Sequence, residues 1–320
     1  MNIKLCVASL AAALAISGSS FAAPIIYSED FNVDNTANWT VNGSGVVGSD
    51  FVADFFYDYS AIGVPAAPNG TGSVGLKMTA NNSGGVFSGF TTSPTGQSFS
   101  GSYTVSFDIW QNYVGPLGPG GSGTTQFSQY GIGTAGTATQ WIGSSPKESV
   151  SFGTTLDGGS AADFRAYSSA APTSYASGNA VYLSPGSTIN NSGAYYTAAY
   201  LPQSAPAAQV LLFPGQTGSS DAGETSFKWR RVTIDVSGGF ASWSIDGTPL
   251  AKVDLSTVTL GGGNLLFGHS DTNAGASTDA NRVALNVTLI DNITVEIPEP
   301  GTLVMCLVGA IGLFGARRRR

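Results

Sequence analysis

The feature that most constrains this fold is an alternation of apolar and polar residues near the carboxyl end of the chain. Residues 227–236 alternate, a Ser-Gly-Gly tripeptide at 237–239 allows a tight turn, and residues 240–246 resume the alternation. An Asp-Gly pair at 246–247 then precedes a third short run, Pro249–Val253. A period of two residues is typical of half-buried strands, and two-residue glycine loops favour hairpins. The pattern predicts an antiparallel meander of three strands, with Trp229 and Trp243 buried on its apolar face.

Strands of the same kind fill much of the rest of the chain between residues 23 and 296, and no sustained helical period interrupts them. In Tyr103–Trp110 the alternation continues over eight positions, with Tyr103, Val105, Phe107 and Ile109 on one face. Other strands are predicted at Ile25–Phe31, Trp39–Val41, Phe51–Tyr57, Val74–Thr79, Leu265–Gly268 and Val283–Glu296. The period-two pattern therefore predicts an all-β fold.

The stretch 115–223 is looser and rich in glycine, and only Ala161–Ala171 is favourable to a helix. Its apolar bursts are interpreted as strands separated by long loops: Phe127–Ile132, Ala180–Leu183, Ala194–Leu201 and Val210–Phe213. Because nothing in this stretch marks a second domain, we predict one antiparallel β-sandwich domain over residues 23–296.

The meander resembles the laminin-G-like and concanavalin-A-like jelly rolls. The resemblance lies in a Trp-led strand that begins at Trp229, a return strand through Trp243 and Ile245, and the Asp246-Gly247 turn after it. It implies a concanavalin-A-like jelly-roll sandwich, in which double Greek-key winding hides the sheet edges.

The amino end has the parts of a secretory signal peptide. Lys4 precedes an apolar core, Leu5–Ile16, and the small residues Ser20 and Ala22 occupy the positions that a signal peptidase reads. The sequence therefore predicts that residues 1–22 are removed by signal peptidase and that the chain is exported through the inner membrane.

The carboxyl end carries a second sorting element at residues 297–320. It contains a Pro-Glu-Pro motif, an apolar stretch and four arginines, at Pro298, Glu299, Pro300, Leu303–Phe314, Arg317, Arg318, Arg319 and Arg320. A cationic cluster of this kind stays in the cytoplasm by the positive-inside rule, so the chain before it lies outside. The whole uncharged apolar run, Gly301–Ala316, is 16 residues long, which is shorter than the roughly 20 that a membrane helix needs.

This carboxyl-terminal segment resembles a PEP-CTERM sorting signal. In that class the motif, the hydrophobic helix and the arginines are recognised by an exosortase, a membrane cysteine protease-transpeptidase. The resemblance implies a transmembrane helix that holds the protein in the inner membrane until an exosortase removes it. An ordinary single-pass carboxyl-terminal anchor is the alternative.

The charge of the predicted core restricts its partners. Residues 23–297 contain eight basic and nineteen acidic side chains, a net charge of −11. Such a surface repels nucleic acid and anionic lipid. We therefore expect no nucleic-acid partner.

Catalytic patterns are absent from the core. Its single histidine, His269, follows a strand and enters a loop of Gly, Asn and Asp, so we interpret it as a structural or surface residue and not as the base of a Ser-His-Asp triad. No cluster of three or four zinc ligands occurs. Retaining glycosidases need two carboxyl groups roughly 5–5.5 Å apart, and the glutamate pattern that jelly-roll members use for this is missing. The sequence predicts a protein that is not an enzyme, with a glycan-active enzyme as the least favoured alternative.

Calcium is the one cofactor that the sequence suggests. Glu29 and Asp30 near the start and Asp291 near the end resemble the jelly-roll carbohydrate-binding modules, whose neighbouring first and last strands share a structural calcium ion. The loop with Asp271 and Asp279 is a second candidate, because calcium takes six to eight oxygen ligands. The alternative is that these acids bond their own backbone in turns.

These features together predict an exported protein of the cell surface or extracellular matrix. The leading hypothesis is a carbohydrate-binding or adhesive module of exopolysaccharide or biofilm, with aromatic clusters at Phe55–Tyr59, at Tyr195-Tyr196 and at Tyr200 as candidate sugar-stacking residues. A purely structural matrix protein without a specific ligand is the competing hypothesis.

The Pro-Glu-Pro motif is expected to be required for release from the membrane, because its prolines hold the recognition segment extended ahead of the helix. Glu299→Ala should leave full-length protein in the membrane fraction, as measured by fractionation and immunoblotting. Glu296→Ala, just outside the motif, is the matched control and should be released normally. Normal release of the Glu299 variant would contradict an exosortase route.

Overall fold

The computed structural model describes most of the predicted core, namely residues 23–43, 50–82, 88–115, 126–144, 147–157, 159–271 and 279–298. Within it, Ile25–Ile297 form one compact unit. The predicted signal peptide, and the sorting segment from Glu299 onward, lie outside the described residues.

The described residues form fourteen strands and three short α-helices. The strands are β1 Ile25–Glu29, β2 Trp39–Gly43, β3 Phe51–Asp58, β4 Val74–Ala80, β5 Gly89–Pro94, β6 Tyr103–Asn112, β7 Gln126–Thr134, β8 Val150–Thr155, β9 Phe164–Tyr167, β10 Arg230–Ser237, β11 Phe240–Ile245, β12 Thr248–Asp254, β13 Asn264–Asp271 and β14 Val287–Glu296. The helices are α1 Ala194–Ala199, α2 Ala207–Leu212 and α3 Arg282–Leu285.

The strands build two antiparallel sheets. One has eight strands in the order β12-β11-β10-β6-β14-β4-β3, with β1 also paired to β14. The other has six strands in the order β2-β5-β13-β7-β8-β9. A large apolar cluster drawn from both sheets packs between them. The prediction of an all-β antiparallel sandwich is confirmed.

The predicted meander is β10, β11 and β12, and its turns explain its sequence. Gly238 and Gly239 both have positive φ, at 55° and 82°. In the second turn φ is also positive at both residues, Asp246 and Gly247. A two-residue hairpin loop with two positive φ angles matches the twist of its strands. Glycine adopts these angles without a Cβ penalty, which is why the turns occur at these positions.

The alternation of the central strands divides their side chains between two faces. In β6, Tyr103, Val105, Phe107 and Ile109 all enter the core between the sheets, as the sequence predicts. Trp243 of β11 lies in the same core, where it is 1% exposed and stacks on Phe152 at 5.2 Å between ring centroids.

Trp229 is buried as predicted, but on the other side of the sheet. β10 begins at Arg230, so Trp229 precedes the strand and belongs to a second apolar cluster with Tyr59 and Trp110. Its Nε1 donates to the carbonyl of Pro65 at 2.7 Å. The assignment of Trp229 to the face of the main core is therefore wrong, because a chain segment around residues 59–67 covers the outer face of the sheet there.

Four local predictions within residues 115–223 are also wrong. Ala180–Leu183 is a turn with one isolated bridge, from Tyr182 to Ala251, instead of a strand. Phe164–Tyr167 is strand β9, since Phe164 enters the core and the segment pairs with β8. Ala194–Ala199 and Ala207–Leu212 are helices instead of strands. In α1 the ring of Tyr196 stacks on that of Phe164 at 4.1 Å, a contact that sequence periodicity cannot reveal.

Two strands had no clear signal in the sequence. β5 and β8 are rich in Ser, Thr and Gly, yet they are buried on both faces. On β5 the ring of Trp141 lies so close to Gly89 that a Cβ there would meet it at 2.5 Å. A loop therefore covers this outer face, and small polar residues replace the apolar alternation that normally marks a strand.

Among the residues described, no helix is long and apolar enough to cross a membrane.

Trp243→Ala and Trp229→Ala are each expected to lower the free energy of unfolding by about 3–5 kcal/mol, because each leaves a large cavity in a packed cluster. Phe56→Ala is the control, since its side chain is 46% exposed and its loss should change stability by about 0.5 kcal/mol or less. Urea denaturation measures all three. Unfolding midpoints equal to wild type for both tryptophan variants would contradict this account of the two clusters.

Candidate functional site

The first and last strands are neighbours, as the sequence predicts, and an irregularity in the last strand forms the site. β1 pairs with β14 so that Glu29 lies opposite Ile293. The register between β14 and β6 shifts between Asp291 and Thr294, and Asn292 has a positive φ of 51°. Such bulges bend a strand and change the direction of its side chains.

Asp108 of β6 is the centre of the site and is completely buried. Its carboxylate accepts hydrogen bonds from the backbone and side-chain amides of Asn69 at 3.2 and 2.7 Å, and from Nδ2 of Asn292 at 2.9 Å. It also forms an ion pair with Nη1 of Arg231 at 3.2 Å. A buried charge needs such partners, so Asp108 fixes the three side chains that surround it.

Arg231 joins this centre to the bulge. Besides its bond to Asp108, the guanidinium donates to the carbonyl of Asn292 at 3.0 Å and to Oγ1 of Thr294 at 3.3 Å. These three contacts hold the planar group in one orientation.

A polar cleft of about 390 Å³ opens above this centre. It is lined by Ser28, Glu29, Asp30, Asn35, Asn69, Gly70, Thr71, Arg231, Asn292, Ile293 and Thr294. Gly70 has to be glycine, since a Cβ would lie 1.8 Å from Oδ1 of Asn292. Nearly all of this lining can donate or accept hydrogen bonds, so the cleft suits a ligand rich in polar groups.

Asp291 lies beside Asp108 as its partner in the β6–β14 pairing and is 2% exposed. One of its oxygens accepts a bond from the hydroxyl of Tyr59 at 3.0 Å, and the other accepts the amide of Asn292 at 2.7 Å. Burial and, to a smaller extent, the negative charges of Asp108 and Asp30 raise the pKa of Asp291 to about 7. This carboxyl group therefore changes its charge near neutral pH.

The structure brings the first set of predicted calcium ligands to this cleft. Glu29 and Asp30 line it, and Asp291 lies next to its central carboxylate. Glu29 accepts bonds from the amide of Phe31 and from Nδ2 of Asn35, while Asp30 accepts the amide of Asn32. Within the described part of the chain, no three His, Cys, Asp or Glu side chains are placed to hold one metal ion. Calcium binding stays a prediction.

The second set lies elsewhere, around a loop that is outside the described residues at 272–278. Asp271 ends β13, is buried, and accepts bonds from Nδ2 of Asn81 at 2.6 Å and Nε2 of Gln126 at 3.0 Å. Asp279 accepts the amide of Asn281 at the start of α3. Both carboxylates bond neighbouring parts of the protein in the described structure.

His269 is a buried structural residue. Its Nδ1 is bonded to Oγ1 of Thr288 at 2.8 Å and its Nε2 to Oε1 of Gln126. Burial lowers the pKa of His269 to about 3, so the ring is neutral at physiological pH. Among the described residues, the partners of its ring nitrogens are a hydroxyl and an amide oxygen, so His269 lacks the carboxylate contact that orients the base of a catalytic triad.

The aromatic clusters proposed as sugar-stacking residues mostly serve the core. Tyr196 and Tyr200 are fully buried against Phe164, and Phe55 stacks on Trp39. The residues that build the cleft are different ones: Asn69, Asp108, Arg231 and Asn292. One signal in the sequence points to them, since Asp108 is the one charged residue of the central strand β6.

Comparison with known protein families supports the prediction of a carboxyl-terminal sorting signal. A family profile described as the PEP-CTERM protein-sorting motif matches residues 296–320, which confirms the predicted sorting signal. A search of curated proteins finds no match to this chain.

Several solved structures are similar at low identity. Lectin II from Ulex europaeus is 10% identical with a TM-score of 0.42, over 85% of this chain and 99% of the lectin. The carbohydrate-binding module CBM66 from Bacillus subtilis is 8% identical with a TM-score of 0.35, over 81% and 95%. An endo-acting O-glycanase from prominent members of the human gut microbiota is 13% identical with a TM-score of 0.44, over 86% and 100%.

Asp291→Asn is expected to change how stability depends on pH. The native pKa of Asp291 is raised from 3.8 to about 7, so between these values the folded state holds a proton that the unfolded state has lost. The free energy of unfolding should therefore fall as the pH rises from about 4 to about 7. The amide cannot ionise, so this contribution should be missing in the variant, which should be the more stable protein at pH 8. Denaturant unfolding at several pH values measures the difference.

Comparing the wild type with Asp291→Asn removes the contribution of other titratable groups to the pH dependence of stability. Burial also raises the pKa of Glu224 to about 8 and of Asp163 to about 6, but both proteins share these residues. Parallel pH profiles would contradict the assignment to Asp291.

The wild type and Asp291→Asn also test calcium binding, because an ion in the cleft should raise the melting temperature of the wild type at pH 8 and not that of the variant. Loss of the calcium response in Asp271→Ala alone would favour the loop instead.

Proposed function

We propose that this protein is an exported carbohydrate-binding module and that the polar cleft between the first and last strands is its ligand site. The observation that carries this proposal is the prearranged polar lining around Asp108. Three side chains that reach the cleft, those of Asn69, Arg231 and Asn292, are each held by a bond to that one buried carboxylate.

Such an arrangement suits a sugar. A saccharide presents many hydroxyl groups, each of which donates and accepts, so its site needs donors and acceptors at fixed positions. In the cleft, Arg231 is a donor, the carboxylates of Glu29 and Asp30 are acceptors, and Thr294 and Ser28 can do both. Because Asp108 already orders the lining, binding loses little side-chain entropy.

Export supports a ligand outside the cell. The PEP-CTERM motif at residues 296–320 indicates sorting at the membrane, and with the predicted signal peptide it favours processing by signal peptidase and then by an exosortase. On this proposal the released protein acts at the cell surface or in the matrix, where extracellular polysaccharide is the available partner.

The cleft can be tested by filling it. Thr71 is exposed at its rim, so Thr71→Trp should place an indole in the cleft without disturbing the core. Binding of the natively exported protein to a glycan array is the measurement, and the variant should bind at least about tenfold more weakly, equal to ~1.4 kcal/mol. Thr259→Trp adds the same ring at an exposed position outside the cleft and should bind like wild type.

Three outcomes decide between the hypotheses. Loss of binding only in the Thr71 variant supports the cleft. Equal binding by wild type and both variants would move the ligand site elsewhere. A wild-type protein that binds no glycan, with or without calcium, would favour a purely structural matrix role.

A further inference from the structure

The charges that line the cleft restrict the class of glycan that can bind there. We infer that the cleft selects a glycan that carries free, protonated amino groups over neutral or acidic glycans. This inference rests on the proposed function and concerns the same site.

The cleft has more acids than bases. Arg231 is the single basic residue in its lining, and its guanidinium is paired with Asp108 at 3.2 Å. This pair leaves the carboxylates of Glu29 and Asp30 in the lining without a cationic partner there. The rest of the predicted core adds to this field, since residues 23–297 carry a net charge of −11.

A negative cleft discriminates between glycans by charge. A uronate would bring its carboxylate close to two like charges and would be repelled, whereas an ammonium group would be attracted. Neutral sugars would gain hydrogen bonds without this attraction. Because the charges act over a partly enclosed site, salt screens them less than at an open surface.

The acceptors also fit an ammonium group. An ammonium has three donors and no acceptor, so it needs oxygen atoms around it. Asp30 is exposed, and one of its oxygens accepts the amide of Asn32 at 3.1 Å, while the other has no donor among the described residues. The hydroxyls of Ser28 and Thr294 offer further oxygens in the same lining.

Oligosaccharides that differ only in one substituent test the inference. Hexamers of β-1,4-linked glucosamine, N-acetylglucosamine, glucose and glucuronate should be titrated into the natively exported protein at pH 6, where the amine is protonated, at low and high salt. We expect the glucosamine hexamer to bind about tenfold or more tightly than the N-acetylated and glucose hexamers, and the glucuronate hexamer to bind weakest. Only the glucosamine affinity should fall with salt.

Asp30→Asn tests the role of charge without removing the turn, because an asparagine oxygen can also accept the amide of Asn32. It should weaken glucosamine binding about two- to fourfold more than it weakens glucose binding. Asp254→Asn is the matched control, since Asp254 accepts the amide of Ser256 in the same two-residue arrangement away from the cleft. It should bind like wild type.

The outcomes separate this inference from the proposed function. Equal binding of the glucosamine and glucose hexamers would overturn the inference and leave the carbohydrate site standing. Failure to bind any hexamer, when a glycan array is also negative, would overturn both. A hexalysine peptide that binds as tightly as the glucosamine hexamer would show that the cleft recognises positive charge alone, and would overturn the assignment to a glycan.

Discussion

The register in which β6 pairs with β14 sets both faces of the eight-stranded sheet. Ile109 lies opposite Ile290, and both enter the core between the sheets. One residue along, Asp108 lies opposite Asp291 on the outer face. A slip of one residue would exchange these faces and bury the carboxylates in the apolar core. The core therefore holds the strands in the one register that also assembles the candidate site.

The same pairing explains why the site needs the surrounding loops. Two carboxylates that lie opposite each other repel unless protons, hydrogen bonds or a cation compensate. Arg231 and the amides of Asn69 and Asn292 compensate Asp108, whereas Asp291 has one hydroxyl and one amide donor. Burial and the neighbouring negative charges of Asp108 and Asp30 raise the pKa of Asp291 to about 7. Asp291 is therefore a carboxyl group through which pH, and a cation if one binds, would act on stability.

Burial in this sandwich does not depend on apolar residues alone. Between the sheets a chain of hydrogen bonds joins Gln126, His269, Thr288, Ser128 and Gln111. Each of these side chains is buried and has a partner, so the chain fixes the relative position of strands from both sheets at little net cost. Such a network favours one arrangement of the two sheets, because a shifted sheet would leave several buried polar groups unpaired.

Patterns among neighbouring residues were enough to predict the strands, turns and sorting signal that depend on short segments of the chain. Alternation placed β6 and the meander, two glycine-containing turns set the hairpins, and the order of proline, apolar and arginine residues in the tail identified the sorting signal. The pairing of β1 with β14 was also predictable, but only through a resemblance. Arg231 and Asp108 are 123 residues apart, and no local pattern relates them. The cover over Trp229, the helices at 194–199 and 207–212, and the strands β5 and β8 likewise depend on which segments meet in space. Tertiary structure alone decided them, because their energy comes from burial and pairing between distant parts of the chain.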